Sequence, residues 1–97
     1  MRLELAVEEQ TPGTKVIRAI GEIDMHTVQN FDDVVHELLD EGILHIVMDF
    51  TRLNYISSSG LGVIMNCQAE LLGNEGKLEV IGTHGNVRES LQLTGII

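Results

Sequence analysis

Three consecutive serines, Ser57, Ser58 and Ser59, stand ahead of Gly60-Leu61-Gly62 in the segment "YISSSGLG". A hydroxyl in such a run can cap a helix, attack a carbonyl or accept a phosphoryl group, and the neighbours decide which. A P-loop is excluded, because no lysine follows the glycines. The dinucleotide fingerprint needs a third glycine three residues after Gly62, where Met65 stands. A nucleophile elbow needs glycine two residues before its serine, and Tyr55, Ile56 and Ser57 fill those positions. Ser-x-x-Lys is absent too, since Leu61 lies three after Ser58. A hydrolase using Ser58 therefore lacks a placed base. What remains is a helix start. Its free N–H groups and partial positive charge suit a serine N-cap, which any one of the three could supply. Two glycines in the first turns cost roughly 1 kcal/mol each relative to alanine, and they bare the backbone to a ligand or partner.

The elements around this segment follow from periodicity. "RLELAVEE" alternates, with Leu3, Leu5 and Val7 on one side, and "KVIRAIGEI" resumes after Pro12-Gly13, so the two read as a hairpin. Val28, Phe31, Val34, Val35, Leu38 and Leu39 recur at helical spacing until Gly42. "ILHIVMDF" is a dense apolar run, expected as a central strand buried on both faces. After the serines, Leu61, Ile64, Met65, Gln68, Ala69 and Leu72 mark a second helix, ended by "GNEG". "KLEVIG" supplies a further strand, and Val87 and Leu91 a last helix capped by Thr83 or Asn86. The expected order is β-β-α-β-α-β-α, a small α/β domain. Its mixed sheet carries helices largely on one side, with right-handed crossovers.

Composition bounds the function. Ninety-seven residues allow one domain, residues 1–97, with an aliphatic core, since aromatics are only 3%. A formal net charge of −9 argues against a nucleic-acid or anionic-membrane partner. No apolar run reaches a membrane span, and the N-terminus carries acids where a signal peptide would be apolar, so the expectation is a cytoplasmic chain. The single cysteine, Cys67, reads as a core residue. His26, His36, His45 and His84 show no metal-ligand spacing, so no metal or other cofactor is expected. Tyr55 is expected to pack under the serine loop. The acidic run Asp32, Asp33, Glu37, Asp40 and Glu41 reads as a solvated helix face that can also steer a basic partner. Asp24 reads as a loop cap for the helix near Thr27 or as a partner-facing carboxylate, and Asp49 as a turn-stabilising strand end.

Taken together, "YISSSGLGVI", "GEIDMHTVQNF", "IVMDFTRLNYI" and "GNVRESLQLTGI" resemble, in order and over essentially the whole chain, the STAS domain of bacterial anti-sigma factor antagonists. The resemblance implies partner switching. The antagonist binds an anti-sigma factor that is also a serine kinase, is released when that kinase phosphorylates it, and is restored by a serine phosphatase. Carried over by position, the phosphorylated residue is Ser58, with Ser57 and Ser59 as alternatives. The implied partner-binding surface is Asp24, Ser57, Ser58, Ser59, Gly60, Leu61 and Gly62, and Asp49 matches the family's central-strand aspartate. The protein would be a kinase's substrate and not an enzyme. Two departures stand out. Ser57 occupies the position where the family usually has aspartate, and the family usually continues past "LTGI" with further elements. What the resemblance implies is a domain either truncated after the last helix or made without the family's last elements. The rival reading is a STAS domain that senses a small ligand or nucleotide, or serves a transport or signalling assembly.

Overall fold

Pro12 and Gly13 turn the chain between its two longest strands, and Gly13 takes a φ of +89°, where a side chain would be strained. In the computed structural model, which describes residues 2–97, the elements run β1 (Leu3–Thr11), β2 (Thr14–Ile23), α1 (Val28–Asp40), β3 (His45–Asp49), β4 (Leu53–Ile56), α2 (Ser58–Gly73), β5 (Lys77–Ile81) and α3 (Gly85–Leu93). The expected order is present, with the short strand β4 added between β3 and α2.

That addition explains the sheet. β1 pairs antiparallel with β2, while β3, β4 and β5 all run parallel to their neighbours. The order is β1-β2-β3-β5, and β4 also pairs with β2. β3 covers Thr14–Arg18 of β2 and β4 covers Gly21–Ile23, so the two lie end to end along one edge of β2. The break between them is a tight turn. Asp49 Oδ1 accepts from Thr51 N at 3.0 Å and from Thr51 Oγ1 at 2.6 Å, and Leu53 N donates to Phe50 O at 3.0 Å. Asp49 thus stabilises a strand end, and these bonds and Arg18 lower its pKa.

Strand alternation sends Ile17, Ala19, Ile23, Ile46, Met48 and Phe50 into a core shared with all three helices. Phe31, Val35 and Leu38 of α1, Ile64, Cys67 and Leu71 of α2, and Val87 and Leu91 of α3 fill the other side of that core. Each such side chain contributes about 1.5–3 kcal/mol by leaving water. The aliphatic expectation holds except at its centre, where Phe31 and Phe50 meet with ring centroids 6.4 Å apart. The opposite sheet face carries ions instead. Arg18 bridges Glu8 and Asp49, and His45 lies between Thr14 Oγ1 and Glu79. Beneath that layer Val47 is still buried, as the apolar run implied. Among the described residues no helix is long and apolar enough to cross a membrane.

Candidate functional site

β2 and β4 finish side by side. Ile23 pairs with Ile56, and the Ser57 amide donates to the Ile23 carbonyl at 2.8 Å. Asp24 and Ser57 therefore leave the carboxyl ends of two neighbouring parallel strands. Such ends are where open α/β sheets hold their functional loops.

Ser57 is the helix cap. Its backbone is extended (φ −82°, ψ 168°), its Oγ accepts from the Gly60 amide at 3.2 Å, and its carbonyl accepts from the Leu61 amide at 3.0 Å. Its hydroxyl also lies 2.9 Å from that of Ser59, so those two share a hydrogen bond. Ser58 differs from both. It is the first helical residue and exposed, and among the described residues its hydroxyl has no partner. The first turn of α2 carries no acidic side chain. Its dipole and free amides face solvent uncompensated.

The two glycines separate in role. Gly60 is buried, and a Cβ there would stand 2.8 Å from both Ile23 Cγ2 and Ile56 Cγ1. Glycine at 60 lets α2 sit down on β2 and β4, so Gly60 belongs to the packing beneath the expected binding surface and not to its exposed part. A Cβ on Gly62 meets nothing within 4 Å, which leaves that position open. Leu61 is half-buried against the core.

Asp24 closes the neighbouring loop. Its Oδ1 accepts from the His26 amide at 2.8 Å and the Thr27 amide at 3.0 Å, ahead of α1, and its Oδ2 pairs with Arg2. The Arg2 hydrogen bond, then those of the two amides, hold the carboxyl at about 2. The carboxylate is a loop cap, and what the loop offers outward is Met25, 78% exposed. Along α2 the exposed face runs from Ser58 past the half-buried Gly62 to Met65, Ala69 and Leu72, at helical spacing. Of the helix's sixteen residues only Glu70 is charged.

Other expectations resolve more simply. Tyr55 does not pack under the loop, because in β4 it points outward and is 44% exposed, while Leu53 and Ile56 take the buried positions. α3 is capped by His84, not Thr83 or Asn86, and its ring nitrogen bonds the Thr51 carbonyl. Cys67 is a buried core thiol, pushed up to about 11 by that burial. His36 and His45 bond to Asp32 and Glu79, away from the serines.

Comparison with known proteins gives this geometry its relatives. The model of the STAS domain matches residues 6–97. The anti-sigma F factor antagonist of Paenibacillus polymyxa is 31% identical over 101 residues, covering 99% of this chain and 82% of that protein. The anti-sigma-B factor antagonist of Staphylococcus aureus is 24% identical over 80 residues, covering 82% and 74%. Among solved structures, the phosphorylated form of the Bacillus cell fate determinant SpoIIAA matches with a TM-score of 0.81 at 28% identity, over 96% of this chain and 85% of that one. The unphosphorylated anti-sigma factor antagonist SpoIIAA matches at 0.79 and 28%, over 92% and 82%. With the family model matched over nearly its whole length, the chain belongs to the STAS-domain family.

Proposed function

We propose that this protein is an anti-sigma factor antagonist that acts by partner switching, with Ser58 as its phosphorylation site. The observation that carries the reading is the isolation of the Ser58 hydroxyl. Ser57 is occupied as the cap and Ser59 is bonded to Ser57, while Ser58 is exposed and unbonded among the described residues. Support also comes from relatives that are anti-sigma factor antagonists and from the likeness to SpoIIAA in both phosphorylation states.

In this reading the unmodified protein binds an anti-sigma factor with serine kinase activity through the start of α2, Gly62 and the Asp24 loop. The kinase transfers the γ-phosphoryl group of ATP to Ser58 Oγ. The new O–P bond forms as the bond from the γ-phosphorus to the β–γ bridging oxygen breaks, ADP leaves, and the hydroxyl proton passes to a base of the kinase. A serine phosphatase reverses the change with water, releasing inorganic phosphate and restoring the hydroxyl. Phosphorylation adds about −1.5 to −2 charges and three acceptor oxygens. The amides and dipole of α2 tolerate that anion, so the fold persists. A contact that buried Ser58 as a neutral hydroxyl would have to desolvate a dianion, at several kcal/mol. Since 1.4 kcal/mol is tenfold in affinity, a fraction of that cost is a switch.

The test is a pulldown from the native organism with wild type and Ser58→Asp, read by mass spectrometry, followed by phosphopeptide mapping with the captured partner and ATP. Wild type alone should retain a serine-kinase anti-sigma factor, and the phosphate should lie on Ser58. Equal capture by both proteins, or a phosphate on Ser57 or Ser59, overturns the assignment.

A further inference from the structure

One cation is wired into the end of the sheet that holds the serine helix. Arg2 precedes β1, its carbonyl accepts the Glu22 amide, and its guanidinium reaches past the end of β2 to Asp24 Oδ2. Its side chain is 52% exposed, so this is a solvent-screened pair that can exchange. The chain has six Lys and Arg residues. Lys15, Arg18 and Lys77 are paired with Glu9, with Glu8 and Asp49, and with Glu79 elsewhere on the sheet. Among the described residues, Arg2 is the one cation paired to the loop beside Ser57.

Asp24 and Ser57 each follow one member of the Ile23–Ile56 pair, on strands roughly 4.8 Å apart, and Ser58 is the next residue. Arg2 is anchored at the start of β1, across β2 from β4 and so about two strand spacings from the serine loop. Its guanidinium, already at Asp24 at the end of β2, has about one further spacing to cover. Asp24 does not need Arg2 to stay satisfied, because the His26 and Thr27 amides remain on its Oδ1. A phosphate on Ser58 would offer more charge and three oxygens in the fork geometry that a guanidinium matches.

We propose that Arg2 is a movable counter-ion: it pairs with Asp24 while Ser58 carries its hydroxyl, and transfers to the phosphate once Ser58 is phosphorylated. The inference rests on Ser58 being the modified residue. The protein would thus carry its own receptor for the modification, set at the start of β1 across β2 from the serine helix.

The experiment installs phosphoserine at position 58 during translation, so that no kinase is involved, and follows the phosphate by ³¹P NMR against pH. Arg2→Gln, Arg2→Lys and Asp24→Asn are compared with wild type, with amide spectra checking each fold. The second ionisation of the phosphate, near pH 6 when unperturbed, should fall lower in wild type than in Arg2→Gln by on the order of 0.3–0.7 pH unit, the scale of an exposed ion pair. Arg2→Lys should lie between them, and Asp24→Asn, which frees Arg2, should fall lowest. Equal midpoints in wild type and Arg2→Gln overturn the proposal. Failure of a kinase partner to modify Ser58 would overturn the functional reading instead, without altering this result.

Discussion

Gly60 and Ile23 meet with no room between them for a methyl group: a Cβ on Gly60 would stand 2.8 Å from Ile23 Cγ2. Because both neighbours of that Cβ are side chains of the buried core, Gly60→Ala must displace α2 or repack Ile23 and Ile56. Overpacking of this kind costs about 1–3 kcal/mol, against about 1 kcal/mol gained in helix propensity. Thermal or urea unfolding should therefore show Gly60→Ala less stable than wild type. Gly62→Ala, whose Cβ enters open space, should be more stable by up to about 1 kcal/mol.

Gly62→Arg separates folding from binding. Arginine favours a helix over glycine and its Cβ enters open space here, so circular dichroism should be unchanged. The same side chain would project one turn on from Ser58, into the open space beside it. Calorimetry with the cognate anti-sigma factor should show affinity reduced at least tenfold, and unchanged affinity would move the interface elsewhere.

Ser57 is a neutral cap where the family usually has aspartate. Ser57→Ala removes the acceptor of the Gly60 amide and should cost about 0.5–2 kcal/mol. Ser57→Asp keeps an acceptor and adds a favourable charge at the N-terminus, so the unmodified protein should melt higher. Once Ser58 is phosphorylated the same carboxylate repels it, by roughly 1–4 kcal/mol at about 4 Å before salt screening. Melting temperatures before and after phosphorylation should thus change in opposite senses. The initial phosphorylation rate should rise if the carboxylate orients the Ser58 hydroxyl.

Asp24 sets an acid limit. Its carboxyl titrates at about 2 in the folded protein, against about 3.9 in an unfolded chain. As pH falls, the unfolded chain binds this proton first. The contribution is therefore complete above about pH 4 and is lost as pH drops toward 2. Urea midpoints between those values should fall more steeply in wild type than in Asp24→Asn, and parallel curves would contradict the assignment.

How legible this was in the sequence varied with how local the cause was. The β1–β2 hairpin and α1 were readable because alternation, Pro12-Gly13 and the 28-31-35-38 spacing are contained within each segment. β4 was not, since "LNYI" has two outward residues, Asn54 and Tyr55, between its buried ends and exists only because β2 outruns β3. The same cause turned Tyr55 outward. The serine segment was legible as a helix start, but which serine caps it depends on where Ile23 holds the chain. Nor could sequence separate Gly60 from Gly62, since the difference is the distance to a strand far away along the chain.

The near-absence of charge on α2, one glutamate in sixteen residues on a chain of net charge −9, divides the work of association in time. A partner docking on that helix is drawn in by the long-range field of acids that lie elsewhere, and is held by short-range contact with a face of small and apolar groups. Added salt should then slow arrival and leave the lifetime of the complex nearly constant. A phosphate on the first residue of that neutral face does the reverse, adding about −1.5 to −2 charges to the field that attracts while shortening the time the partner stays.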